Sequence, residues 1–455
     1  MSPSGSTLWR DRDYMSWWIG NGLSALGSSM STLAYPLLVL YTTGSMAQAG
    51  VLMAVNLIGS QLTTLAGGGL ADRISRRAIM IAGSLVQAGA LGAVAWLARG
   101  GPVPMPALSA AAAVSGLASG LTVGVSAPVL RRLVGTDRIG QATAQGLGRD
   151  LTARLLGSPL GGALFAVARW LPFLADAISF LLAALGVALI RKPLGPDRAD
   201  RERRVPVTAG IATGVRLVLR HPYLRFTVVW GALLNAAAQG FFVLLIALVH
   251  YRGGGPATIG VVNAIALLGG VLGAIAGPLA LRRFTARRIL LAAVWVFAMS
   301  FAAVTVVPRP WQIGAVLLVA MTAMVPLNVV LEAYEVRLVP DSYSGRVTAV
   351  TRFGMQSIQW AGPLIAGVLA DRHGVRAAIL VPLTLVAVLA VALHLSRSTL
   401  AILDGPLARV PELVPAELLA APGRKLPGSP ASSAPALPDP PAVPVSSLVD
   451  PPSRP

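Results

Sequence analysis

Gly68-Gly69-Leu70-Ala71-Asp72-Arg73-Ile74-Ser75-Arg76-Arg77 is a charged turn between two apolar runs, about residues 49–71 and 78–97. Each run is long enough to cross a bilayer, which takes about 20 helical residues. The glycines let helices approach closely. The arginines hold such a turn on the cytoplasmic side of a membrane. Asp72 ends a span, where a carboxylate needs an arginine or a helix N-terminus as its partner. The stretch therefore joins two membrane helices, and the rest of the chain is read outward from it.

The chain has 455 residues, 55% of them hydrophobic and 12% charged. A soluble domain carries about twice that charged fraction. Twelve apolar segments of spanning length follow one another: 17–41, 49–71, 78–97, 106–125, 142–168, 171–190, 226–249, 259–281, 289–307, 313–331, 350–370 and 377–395. Span five carries Arg149, Asp150 and Arg154 in its first half, which is expected to reach into the cytoplasm or to pack against protein. With both termini inside, 26 of the 37 basic residues fall in cytoplasmic segments or in the cytoplasmic halves of spans five and eleven (Arg149, Arg154 and Arg352), 6 in outer loops and 5 in the segment after residue 396. That asymmetry is the positive-inside pattern. It also accounts for the net charge of +19 without nucleic acid. There is no cysteine, so disulfides, thiolate catalysis and Cys-ligated zinc are excluded. His221, His250, His373 and His394 are scattered without metal-ligand spacing. No Gly-x-x-x-x-Gly-Lys loop is present to bind ATP. The expected protein is not an enzyme and has no cofactor or metal.

The two halves repeat. Arg132-Leu133-Val134 recurs as Arg337-Leu338-Val339, and Gly140, Thr143-Ala144, Gly157 and Gly162 recur at the same offset as Gly345, Thr348-Ala349, Gly362 and Gly367. A repeated six-helix unit places a substrate site between its copies. The expected organisation is a first half over 1–190, a cytoplasmic connector over 191–225, a second half over 226–396 and a disordered tail over 397–455. Within the connector, Val207, Ile211, Val215 and Val218 lie near helical spacing, either along the membrane surface or on a cytosolic linker helix. Residues 406–455 hold 14 of the 34 prolines, a composition that cannot bury a core.

Polar residues within spans mark what each helix faces. Asn21, Ser24, Ser28, Ser31 and Tyr35 form one stripe on span one. Ser115, Ser119, Thr122 and Ser126 do so on span four, Asn235 and Gln239 on span seven, Asn328 on span ten and Gln356 on span eleven. They suit a mostly apolar cavity with scattered neutral donors and acceptors, hence an amphipathic organic cargo. Interhelical hydrogen bonding is the structural alternative. Proton coupling needs an ionisable group inside the membrane, where a charge costs on the order of 3 kcal/mol. Asp176, Glu332, Glu335 and Asp150 are the candidates, the last three also being placed for ion pairs with nearby arginines.

The turn at 68–77 resembles the G-x-L-A-D-R-x-G-R-R signature between helices two and three of the major facilitator superfamily, with Ser75 in place of a glycine. Tyr41-Thr42-Thr43-Gly44-Ser45, Arg220-His221-Pro222-Tyr223-Leu224-Arg225 and Phe173–Phe180 resemble patterns of its bacterial branch of macrolide efflux proteins and the enterobactin exporter. Gly157-Ser158-Pro159-Leu160-Gly161-Gly162 resembles the G-P-x-x-G-G of span five in exporters, with the proline one place late, whereas Gly362-Pro363 keeps the usual order. Many relatives carry an acid in span one after a glycine; here Gly27 is followed by Ser28. The resemblance covers about residues 8–396. It implies an all-α membrane protein of twelve spans in two halves, with helices one, four, seven and ten lining a central cavity. It implies a gate of Gly68, Asp72, Arg73, Arg76 and Arg77, with Arg131, Arg132 and the start of span eleven as contacts. The expected function is proton-coupled export of a drug, antibiotic or siderophore by a monomer in the bacterial inner membrane. The alternatives are an importer on the same scaffold and a non-transporting sensor or scaffold acting through its proline-rich tail.

Overall fold

Long apolar runs separated by short Gly-, Pro- and Arg-containing joints have one low-energy form in lipid, the α-helix, which satisfies its own backbone. The computed structural model describes residues 8–70, 74–195, 207–396, 401–405, 407, 410, 412 and 413. Among them the chain forms fourteen α-helices. The first six are α1 (Arg12–Thr43), α2 (Met46–Leu70), α3 (Arg76–Arg99), α4 (Met105–Val134), α5 (Ile139–Val167) and α6 (Leu171–Ala188). A connecting helix, α7 (Val207–Arg220), follows. The second series is α8 (Pro222–Tyr251), α9 (Pro256–Arg283), α10 (Ala286–Val306), α11 (Pro310–Leu338), α12 (Asp341–Gln356), α13 (Ala361–His373) and α14 (Val375–Leu395). Nine of these are long and apolar enough to cross a membrane, and the other three expected spans fall on α2, on α5 and on α12 with α13. Side chains such as Leu62, Trp96, Ile275 and Val306 are exposed along the helices, as a lipid-facing surface requires.

The packing repeats as the sequence does. In the first half α1 packs on α5 and α6, α2 on α4, and α3 on α4 and α6. In the second half α8 packs on α12, α13 and α14, α9 on α11, and α10 on α11 and α14. Each contact in one half thus has its counterpart in the other. The halves meet along two seams, α2 against α13 and α5 against α9. Glycine permits both. A Cβ on Gly50 would lie 2.2 Å from the carbonyl oxygen of Pro363, and one on Gly162 would lie 2.4 Å from that of Pro256.

Span eleven departs from expectation because it is broken. Helix α12 stops at Gln356, residues 357–360 form a turn, and α13 starts at Ala361. Pro363 lacks the amide that would bond to Gln359, and its ring crowds that carbonyl. Gly362 presses against α8, where an added Cβ would stand 1.9 Å from the Ala236 carbonyl oxygen. Pro159, the near-equivalent in α5, is accommodated in an unbroken helix.

Helix α7 packs on α12 and α8. Gly214 sits against the Arg346 carbonyl, and Leu217 and Val218 are buried, so protein covers part of the apolar face of this helix. The residues described between Ala401 and Leu413 also pack on protein. Leu403 and Val410 are buried, the Leu413 amide donates to the Leu338 carbonyl at 2.8 Å, and Asp404 pairs with Arg287 at 3.2 Å. The disorder expected from residue 397 therefore does not hold for this segment. Residues 414–455 lie outside the described residues.

Candidate functional site

A cavity of about 970 Å³ lies between the halves. It runs from Tyr35 and Asp176 to Leu130 and Ala142, near the ends of α4 and α5 that carry Val134 and Ile139. Of the residues expected to line it, Asn21, Ser24, Ser28, Tyr35, Ser119, Thr122 and Gln239 do so, together with Asp176 and Asp150. Asn235, Asn328 and Gln356 are not among its lining residues. The Asn235 amide donates instead to the carbonyls of Gly231 (2.9 Å) and Met355 (3.2 Å), tying α8 to the break in span eleven. Glu332 also lies elsewhere, paired with Arg352 at 3.0 Å on an exposed surface. Asn56 and Gln87, which the polar stripes did not single out, contribute further amides to the wall. Tyr35 Oη and Ser115 Oγ are buried in that wall with no hydrogen-bond partner among the described residues.

Asp176 is 1% exposed. Ser31 donates to its Oδ2 at 2.5 Å, and Ser179 donates to its Oδ1 at 3.1 Å. No arginine or lysine pairs with it among the described residues. Gly27 makes the room, since a Cβ there would lie 2.3 Å from Ser179 Oγ and 2.5 Å from Asp176 Oδ1. A carboxylate of α6 thus stands directly against Gly27 of α1.

The charges of span five are absorbed by α1 and by the cavity. The Arg149 guanidinium lies 5.4 Å from the centre of the Trp17 ring and 5.9 Å from that of Trp18. It donates to the Trp18 carbonyl at 3.2 Å and pairs with Asp150 at 2.8 Å. Gly22 leaves space for its stem. Asp150 is thereby an ion-pair partner facing the cavity. Arg154, near the midpoint of α5, lines the cavity and is exposed to it.

The seams between the halves close one end of the bundle. There the Asp371 carboxylate on α13 accepts from Ser45 Oγ (2.6 Å) and from the amides of Met46 (2.8 Å) and Ala47 (3.0 Å), capping the N-terminus of α2 across the seam. Tyr41 Oη meets His250 Nδ1 at 3.2 Å beside it, and Asn263 on α9 donates to Ser158 Oγ on α5 at 2.7 Å. The sequence reading missed Asp371. A signal was available, because Gly367-Val368-Leu369-Ala370-Asp371-Arg372 repeats the order Gly-x-Leu-Ala-Asp-Arg of residues 68–73.

The opposite, arginine-rich end is tied up within the first half. Arg77 donates to the Ile190 carbonyl, and Arg132 Nε to that of Pro193 at 3.5 Å. The amides of Arg191 and Lys192 donate to Asp13, each at 3.0 Å. Lys192 Nζ bridges Asp11 and the Leu133 carbonyl, both at 2.8 Å. Burial pushes the Asp11 carboxyl up, but Lys192 and the amides of Tyr14 and Asp13 outweigh it and hold the group below the usual carboxylate range. Beneath this knot Tyr14, Trp17, Met80, Val129 and Leu133 form a shared apolar core. Arg131 is exposed, and Arg76 opens α3. Gly68 lies in the last turn of α2, whereas Asp72 and Arg73 lie outside the described residues.

Comparisons with known proteins agree with this architecture. Residues 17–363 match the family model for the Major Facilitator Superfamily. The multidrug efflux pump Tap of Mycolicibacterium fortuitum is 26% identical over 388 residues, covering 80% of this chain and 91% of that protein. Among solved structures, a mutant of the nucleoside transporter NupG superposes with a TM-score of 0.70 at 13% identity, covering 84% of this chain and 98% of that one. A bacterial homolog of the human lysosomal transporter Spinster, inward-facing and occupied, gives 0.70 at 13% identity, covering 87% and 98%.

Proposed function

The chain belongs to the major facilitator superfamily, and from that premise we propose that it exports small amphipathic organic molecules in exchange for protons, as a monomer in a bacterial inner membrane. The observation that carries this reading is the Asp176 carboxylate, held in the cavity wall by serine hydroxyls. A carboxylate so placed can give up and take back its charge as the cavity changes sides. Export is supported by the relative that is a multidrug efflux pump. The arginine distribution supports placing both termini and the arginine-rich end in the cytoplasm.

In this reading the structure is the cytoplasm-facing state. Cargo enters as Asp176 releases its proton. The halves then rock about the cavity, and the far end opens. Cargo leaves, and Asp176 is protonated again from outside. Asp371 holds the far end shut in the present state. Asp72, with Arg73, Arg76 and Arg77, shuts the cytoplasmic end in the other, against Arg131, Arg132 and the start of α12. Asp72→Asn is expected to cut transport while leaving membrane insertion intact, as read by dye flux and by the amount of protein in the membrane. Normal flux would remove this latch.

The direct test uses everted membrane vesicles with an imposed pH gradient, acid inside. Vesicles carrying the protein should accumulate a fluorescent amphiphile such as rhodamine B, and an uncoupler should release it. Accumulation only in right-side-out vesicles would make the protein an importer, and uptake indifferent to the uncoupler would remove proton coupling. Gly162→Val should separate α5 from α9 and open the far end. In right-side-out vesicles a cysteine at Asn263 should then react faster with an impermeant maleimide, and an unchanged rate would contradict the assigned seam.

A further inference from the structure

Among the described residues, five charged side chains line the cavity: Arg149, Asp150, Arg154, Asp176 and Arg352. Four are accounted for. Arg149 is paired with Asp150 and stacked on two tryptophans. Arg352 is paired with Glu332. Asp176 is held by Ser31 and Ser179. Arg154 makes no hydrogen bond or ion pair among the described residues; it is exposed and lines the cavity near the midpoint of a spanning helix. One turn further along α5, Gly157 packs on Leu26 and Ser29 of α1. Arg154 therefore stands at the level of the middle of α1, slightly to the arginine-rich side of Asp176.

A cation maintained inside a membrane protein without a protein counterion invites one from elsewhere. We infer that the cargo carries an oxyanion, a carboxylate or its equivalent, and that Arg154 receives it. The planar fork of the guanidinium suits two parallel N–H···O bonds to such a group. Leu57, Leu91, Phe180, Phe242 and Leu267 supply apolar wall for the rest of the molecule. The cargo is thus an amphipathic acid or zwitterion rather than a simple lipophilic cation. This inference rests on the cavity being the cargo site of an amphiphile exporter.

The test compares rhodamine B with its ethyl ester, which differs in masking one carboxylate. Binding to the full chain in nanodiscs is followed by fluorescence anisotropy. The acid should bind about tenfold tighter than the ester, the size expected of a charge-assisted contact. Arg154→Gln should close the gap between the two dyes: the acid loses its contact, while the ester, a cation no longer repelled by Arg154, binds at least as well as before, which also shows that the cavity is intact. Arg154→Lys should recover part of the difference. Equal binding of acid and ester by the unaltered protein, or an unchanged ratio in Arg154→Gln, overturns the inference and leaves the amphiphile reading standing. Binding of neither dye overturns that reading and the inference with it.

Discussion

Asp176→Asn ends transport driven by a pH gradient, with the protein still folded and in the membrane. Asparagine has nearly the shape of aspartate and offers one of the two serines an acceptor and the other, by rotation of its hydroxyl, a donor, so the α1–α6 contact survives. It cannot gain or lose a proton at neutral pH. Accumulation of dye against its own gradient should fall to that of protein-free vesicles, while exchange of dye down its gradient continues. A purely structural role for Asp176 would reduce both fluxes together, and that outcome would refute it as the coupling group. Gly27→Ala should give a milder version of the same defect. Its new methyl would collide with the carboxylate and with Ser179, displacing a group that remains titratable.

Asp371→Asn shifts the population of states rather than the chemistry. Asp371 places a full negative charge on three donors at the start of α2. It is exposed, so solvent screens it and the charge is worth about 1–2 kcal/mol. That energy corresponds to about a tenfold change in the ratio of shut to open far ends. The chain has no cysteine, so paired cysteines at Thr43 and Tyr251, both exposed at that end, report it directly through spin labels. The variant should enrich the longer of their distances. An unchanged distribution would show that Asp371 caps a helix without governing the closure.

What the sequence revealed, and what it did not, follow from the range of the interactions involved. Spans, duplication and polar stripes are local or periodic, and hydropathy and spacing expose them. The pairing of Arg149 with Trp17 and Trp18 joins residues far apart in the chain, so Arg149, Asp150 and Arg154 read as an anomaly in span five. Proline position alone did not distinguish Pro159, inside a continuous helix, from Pro363, beside a break. The break at Pro363 coincides with the close approach of Gly362 to α8. Asn235 has the composition of a cavity residue, yet its amide is used by two carbonyls of the scaffold. Asp371 stood in a motif already singled out elsewhere in the chain, but its partner, the first turn of α2, became visible only once α2 and α13 were seen to run side by side.

Reciprocal motion of the two ends is the claim on which the functional reading depends. Gly140 and Gly345, repeat-related positions at the arginine-rich end, accept a side chain with nothing within 4 Å. Spin-label distances between cysteines at those two positions, measured alongside the Thr43–Tyr251 pair as rhodamine B is added at constant pH, test it most directly. The expected result is that the Thr43–Tyr251 distance lengthens as the Gly140–Gly345 distance shortens. Distances that stay fixed, or that lengthen together, would contradict it.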